Sequence, residues 1–169
     1  YLYQGDHCTI TDCTVTNYQG DGISFQQSND VRVSRCIVKQ CAGFGLHPGS
    51  GSQRPSVTNC HAISNDEDGF FFCWRVRNGV AEENWLERNG GYGMSIGHKD
   101  TDNFVRRNTI IRNQMGGVYW RSESEPMAGH RTTFEENIIR DNQSWGLFVD
   151  EFTKGTVIRR NTIEDSGDG

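Results

Sequence analysis

The side chains of this sequence with the most chemical potential are His47, Arg75, His98, Lys99, Arg121 and Glu123, which recur at separations of about one repeat, 23 to 29 residues. Arginine and lysine hold a carboxylate, and an unperturbed imidazole titrates near 6.5, poised to take up a proton at neutral pH. Tyr119 adds a phenolic proton donor. A cation, a base and a proton donor are what removal of a proton beside a carboxylate needs: one neutralises the carboxylate, one takes the proton, one returns a proton elsewhere. His47, His98, Lys99, Tyr119, Arg121 and Glu123 are therefore the candidate catalytic residues, and Trp74, Arg75, His130, Arg131, Asp150 and Glu151 the candidate substrate contacts. Asp100 and Asp102, with Glu123 as a further donor, are candidates for a Ca²⁺ clamp, since calcium takes carboxylate oxygens. No other cofactor is expected, and no Cys/His spacing resembles a zinc site. The same stripe admits a second chemistry, glycoside hydrolysis by two carboxyls drawn from Asp100, Glu123 and Asp150 or Glu151.

These residues share a function only if the fold brings them together, and the sequence supplies a repeat that does so. One column runs Cys13, Cys36, Cys60, Asn84, Asn108, Asn137 and Asn161, with steps of 23, 24, 24, 24, 29 and 24 residues. Five residues later runs Tyr18, Cys41, Asn65, Asn89, Asn113, Asn142 and Ser166, and between the two lies an apolar column from Val15 to Ile163. A glycine series, Gly22, Gly45, Gly69, Gly93, Gly117 and Gly146, opens segments of alternating apolar residues such as Phe70/Phe72 and Met94/Ile96. Alternation of this kind is the signature of short strands with one buried face, and a fixed period of 20 to 25 residues is that of a solenoid. The expected fold is all-β: a single-stranded right-handed parallel β-helix of about seven coils, each of 23–29 residues, spanning 1–169 as one domain. The absence of an initiator Met and the repeat running to both ends suggest a piece of a longer chain.

These columns resemble the right-handed β-helices of the pectate-lyase-like superfamily, which includes polysaccharide lyases, glycoside hydrolases and mannuronan C-5 epimerases. Within it, Phe44-Gly45-Leu46-His47-Pro48-Gly49-Ser50 resembles the aromatic-Gly-Phe-Asp-Pro-His-Glu run of the epimerases. His47 stands where that family has Asp, and Gly49 and Ser50 where it has His and Glu. Gly90-Gly91-Tyr92-Gly93-Met94-Ser95-Ile96-Gly97 is similar to the polygalacturonase run Gly-Gly-His-Gly, with Tyr92 in place of the histidine and no Arg-Ile-Lys motif elsewhere. The resemblance implies a secreted protein, extracellular or periplasmic, acting on an acidic, uronate-containing polysaccharide by β-elimination or C5 epimerisation. A glycoside hydrolase, and a non-catalytic glycan-binding or structural β-helix such as an adhesin or fibre, are the alternatives.

Composition agrees and excludes other classes. Four Leu and four Ala against thirteen Asn and twenty Gly disfavour helix. A net charge of -5 gives no overall basic field for nucleic acid, and no apolar run approaches the roughly 20 residues of a membrane-spanning helix. Cys13, Cys36 and Cys60 share a column with asparagines, which points to small buried side chains there, so the six cysteines read as free thiols and not as a bridged framework. Trp120 falls on an inward position, and Asp66-Glu67-Asp68 reads as a solvated turn. Oligomeric state has no signature in the sequence.

Overall fold

The computed structural model describes residues 1–164, 166 and 167. Three parallel sheets of seven strands each run the length of the molecule, and each coil contributes one strand to each sheet. The first sheet holds Leu2–Tyr3, Ile23–Gln26, Leu46–Gly49, Phe70–Phe71, Tyr92–Ile96, Gly116–Trp120 and Leu147–Phe148. The second runs from Thr9–Thr11 to Val157–Arg159 and the third from Thr14–Thr16 to Thr162–Glu164. The single helical element among the described residues is a 3₁₀ turn, Glu125–Met127, inside the five-residue insertion of the fifth coil.

Register is one residue to its equivalent throughout: Leu86 pairs with Ala62 and Ile110, and Met94 with Phe70 and Val118. The apolar columns of the sequence therefore become continuous interior stacks, in which Phe25, Phe70, Phe72, Trp120 and Phe134 are almost wholly buried. Trp120 is core, as its column predicts. The chain turns between sheets at single residues of left-handed backbone, such as Glu83, Arg107 and Glu136, each directly preceding an inward Asn.

Those asparagines form two ladders. The Asn84 backbone N–H and side-chain amide both donate to Asn108 Oδ1 (2.9 and 3.0 Å), Asn108 does the same to Asn137 (2.9 Å each), and Asn137 to Asn161. The second runs Asn65, Asn89, Asn113, Asn142 in the same way. Each amide also donates to a carbonyl of the preceding coil, as Asn108 does to Ala81. A buried amide thus meets all its partners within the fold, which is what makes it tolerable in an apolar interior. Cys36, Cys41 and Cys60 continue the columns as buried free thiols, and all six cysteines are unbridged.

Outside the second and third sheets, charged side chains pair from coil to coil: Asp12 with Arg35, Asp30 with Arg54, Glu82 with Arg106, Glu87 with Arg112 and Glu135 with Arg159. Exposed pairs of this kind add little stability each. Their consequence is that most cations on these two faces are matched by an acid, Arg32 and Lys39 being exceptions among the described residues. Replacing Asn108 by Leu leaves the buried Asn84 N–H without its partner, so Asn108→Leu is expected to lower unfolding free energy by about 1–3 kcal/mol in urea denaturation.

Candidate functional site

The outer face of the first sheet differs from the other two. Register places Ser24 beside His47, Phe71 beside Ser95, Ser95 beside Tyr119, and Tyr119 beside Phe148. Phe71 lies outside the core cluster yet is only 5% exposed. It is covered by site residues: Phe44 at 4.6 Å and the His47 ring stacked at 5.2 Å, centroid to centroid, with the Arg121 guanidinium 4.4 Å above it. The His98 ring meets its edge at 6.1 Å. One phenyl ring therefore gathers two of the predicted histidines and the predicted arginine.

Arg121 reaches this position by crossing a whole coil. Its stem lies across Gly97, where a β-carbon would stand 2.7 Å from Arg121 Cβ, so glycine is needed for the crossing. Its Nη2 then meets Asp68 at 3.5 Å and Ser95 Oγ at 3.4 Å, two coils and one coil below. Ser95 also donates to Asp68, and the Tyr92 N–H donates to the same carboxylate at 2.7 Å. Asp68 is buried, and burial raises its pKa despite these three partners. Asp68 is thus not the solvated turn residue its neighbours suggest; the correction follows from its position directly before Gly69, which turns it under Ser95, whereas Asp66 and Glu67 are exposed.

His98 and Glu123 are joined at 2.6 Å through Nδ1, which leaves Nε2 as the nitrogen open to a substrate. Burial lowers the His98 pKa, Glu123 opposes this and Arg121 adds to it, so the balance favours the neutral ring. The exposed Trp74 stacks on it at 5.3 Å. His47 forms a second dyad, Nδ1 to Asp21 at 2.7 Å, but its Nε2 is buried without a partner. Burial acts to raise the Asp21 pKa, and the hydrogen bond and charge of His47 outweigh it and hold the carboxyl below its ordinary value. Tyr119 is half-buried, touches Ser122 through its hydroxyl and stacks on Tyr92 at 4.6 Å. Burial first, then Tyr119 and Asp68, raise the Tyr92 pKa, keeping that phenol protonated.

The remaining candidates are placed differently. Asp150 accepts from the Glu123 N–H at 3.3 Å and so supports the insertion from the next coil, while Glu151 is exposed. His130 uses both ring nitrogens on that insertion, Nε2 toward the Glu125 carbonyl at 2.8 Å and Nδ1 toward the Lys154 N–H at 3.1 Å. Arg131 pairs with Asp102 at 2.6 Å. Asp102 and Asp100 do not converge on a common point. Asp100 is fully buried, accepts from the Val76 N–H at 2.8 Å and the Gly97 N–H at 3.2 Å, and occupies the corner column in which Ser28 and Ser52 cap backbone N–H groups. Asp100 therefore serves as a ladder residue, and no group of three His, Cys, Asp or Glu side chains among the described residues is placed to hold a metal ion. Asp21, Asp68, Phe71 and Ser95 escape the sequence reading. The one sequence signal for the two acids is Asp-Gly ahead of the glycine column, at Asp21-Gly22 and Asp68-Gly69.

A protein family described as a right-handed β-helix region matches residues 1–128. Among solved structures, the Dettilon tailspike protein superposes with a TM-score of 0.77 at 17% identity over 92% of this chain and 33% of its own. A periplasmic alginate epimerase gives 0.73 at 12% identity, covering 95% and 46%. The A-module of an Azotobacter vinelandii mannuronan C-5 epimerase gives 0.71 at 17%, covering 97% and 52%. The chain thus spans a third to a half of these structures, and at such identities the likeness is one of fold. No curated protein sequence matches it.

Burial pushes the Asp100 pKa up to about 8. A carboxyl raised in the folded state binds its proton more tightly there than in the unfolded chain, so its contribution to stability is present at low pH and is lost as pH rises towards 8. The melting temperature is expected to fall between about pH 5 and pH 8 in the native protein and to level off above that. Asp100→Ser, which matches Ser28 and Ser52 in the column, should flatten that slope.

Proposed function

The chain belongs to the right-handed β-helix family, and from that premise we propose that it binds an extended acidic polysaccharide along the first sheet and removes the C5 proton of a uronate. The observation that carries this reading is His98, oriented by Glu123 and set against the same phenyl ring as the Arg121 guanidinium. Arg121 faces the sugar carboxylate and stabilises the charge that moves onto it as the C5–H bond breaks. His98 Nε2 takes the proton, and Glu123 stabilises the imidazolium that results. In elimination, the electron pair forms the C4–C5 double bond, the C4–O bond breaks, and the departing oxygen receives a proton from Tyr119. In epimerisation, His98 keeps the abstracted proton and C5 receives a different one, from Tyr119, on the opposite face. Asp68 and Ser95 steady Arg121, and Asp21 with His47 supports Phe71 from below.

The similarity to epimerases and a tailspike supports a glycan as partner and an extracellular or periplasmic setting, and no described helix is long and apolar enough to cross a membrane. Proton abstraction is favoured over hydrolysis because, of the carboxyls proposed for a hydrolytic pair, Glu123 is bound to an imidazole and Asp100 is buried on backbone N–H groups, which leaves Asp150 or Glu151 without a partner.

The test is incubation with a panel of polyuronates, read by absorbance of unsaturated products, by NMR of the polymer for epimerisation, and by reducing ends. Absorbance or an NMR change is expected, with kcat/KM falling as pH drops through the His98 pKa, below about 6.5. Arg121→Ala and His98→Ala, in folded protein, should each lower turnover at least tenfold. Reducing ends without unsaturation would favour hydrolysis, and glycan binding without any product would favour the adhesin-like alternative.

A further inference from the structure

The corner that follows the first sheet is built unlike any other. Elsewhere among the described residues a single side-chain-bearing residue takes the left-handed conformation, whereas here two do so in succession: Trp74 (φ 63°) with Arg75 (φ 68°), and His98 (φ 49°) with Lys99 (φ 67°). The second coil makes the same double turn as Ser50 and Gly51, placing glycine, which adopts this region without strain, in the second position. The next two coils put long cations in that strained position. Strain retained where glycine is the easier choice points to a use for the side chain.

The charges point the same way. Arg75 and Lys99 stand one coil apart, the Arg75 N–H donating to the His98 carbonyl at 2.9 Å, so their backbones are separated by about 4.8 Å. Neither forms an ion pair among the described residues, whereas twelve of the other fifteen arginines and lysines do, Arg32, Lys39 and Arg77 being the remaining three without one. The nearby carboxyls are already committed: Glu123 to His98, Asp102 to Arg131, and Asp100 to backbone N–H groups in the interior. Two like charges therefore sit side by side with no counter-ion, next to the exposed indole of Trp74.

We propose that Arg75 and Lys99 form an anion-binding rim that holds the carboxylate of the sugar next to the one at Arg121, so that the substrate is a polyuronate charged on neighbouring residues. This rests on the polysaccharide reading above and specifies its substrate. Because Arg121 reaches back to Phe71 and Ser95, its guanidinium lies at the coils that carry Arg75 and Lys99, and the rim stands beside it at the corner that follows the sheet. Trp74 offers its face to the apolar side of the same ring.

The experiment compares native protein with Arg75→Gly/Lys99→Gly and with Arg75→Lys, by calorimetric affinity for polymannuronate and polygalacturonate oligomers, turnover on the same oligomers, and melting temperature. Glycine relieves the strained corner, so the double variant should melt no lower than the native protein, and it should bind the polyuronate at least tenfold more weakly with a shallower salt dependence. KM should rise by more than kcat falls, while Arg75→Lys keeps most of the affinity. Unchanged affinity in the double variant overturns the rim and leaves the enzymatic reading standing. Lost affinity in a protein that turns over no polyuronate supports the rim and removes the enzymatic reading. No binding of either polymer by the native protein overturns both.

Discussion

Coil-to-coil hydrogen bonding in strict register is the constraint on which everything else in this molecule rests. Each coil leaves its backbone groups to be met by the next, and the inward asparagines fix which residue meets which, because an amide displaced by one position would be buried without partners. A slip of one residue would also turn His47, Phe71, Ser95 and Tyr119 into the interior and the apolar columns outward. The same ladder that stabilises the fold therefore assembles the site, since it aligns side chains that are far apart in the chain.

Within that frame, the site is made by departures from the repeat. Gly97 removes a side chain where the column could hold one, and this lets Arg121 lie back across a coil to reach Phe71, Ser95 and Asp68. Phe71 is an apolar residue on an outward position, and it gives imidazole and guanidinium groups a common low-dielectric surface on which their charges interact strongly. The five-residue insertion of the fifth coil brings Glu123 to His98 and is itself anchored through His130, Lys154 and Asp150.

Electrostatics divides the surface in the same way. On the second and third sheets, acid and arginine meet from one coil to the next and neutralise each other. Along the first sheet and its following corner, Arg75 and Lys99 have no acidic partner among the described residues, and Arg121 has only the long contact with the buried Asp68. A net charge of -5 is therefore compatible with a local pair of unmatched cations at this corner, since function depends on local field and not on total charge.

The periodic part of this architecture was legible in the sequence: the Asn, Gly and apolar columns specify coil length, the inward face and the stacking of like on like, because each position is repeated and repetition reveals the environment. The stripe carrying His47, Trp74, His98, Tyr119 and Arg121 was legible for the same reason, as the residues that break the pattern after each glycine-led strand. What the sequence did not carry were relations that depend on where a long side chain goes once the coils are stacked. Asp68 looked like part of an acidic turn and is a buried partner of Arg121; Asp100 looked like a calcium ligand and caps backbone N–H groups in a corner. The sequence determined which residues share a column, since that follows from spacing alone; tertiary structure decided which of them touch across columns, since that depends on side-chain path, burial and the space a glycine leaves open.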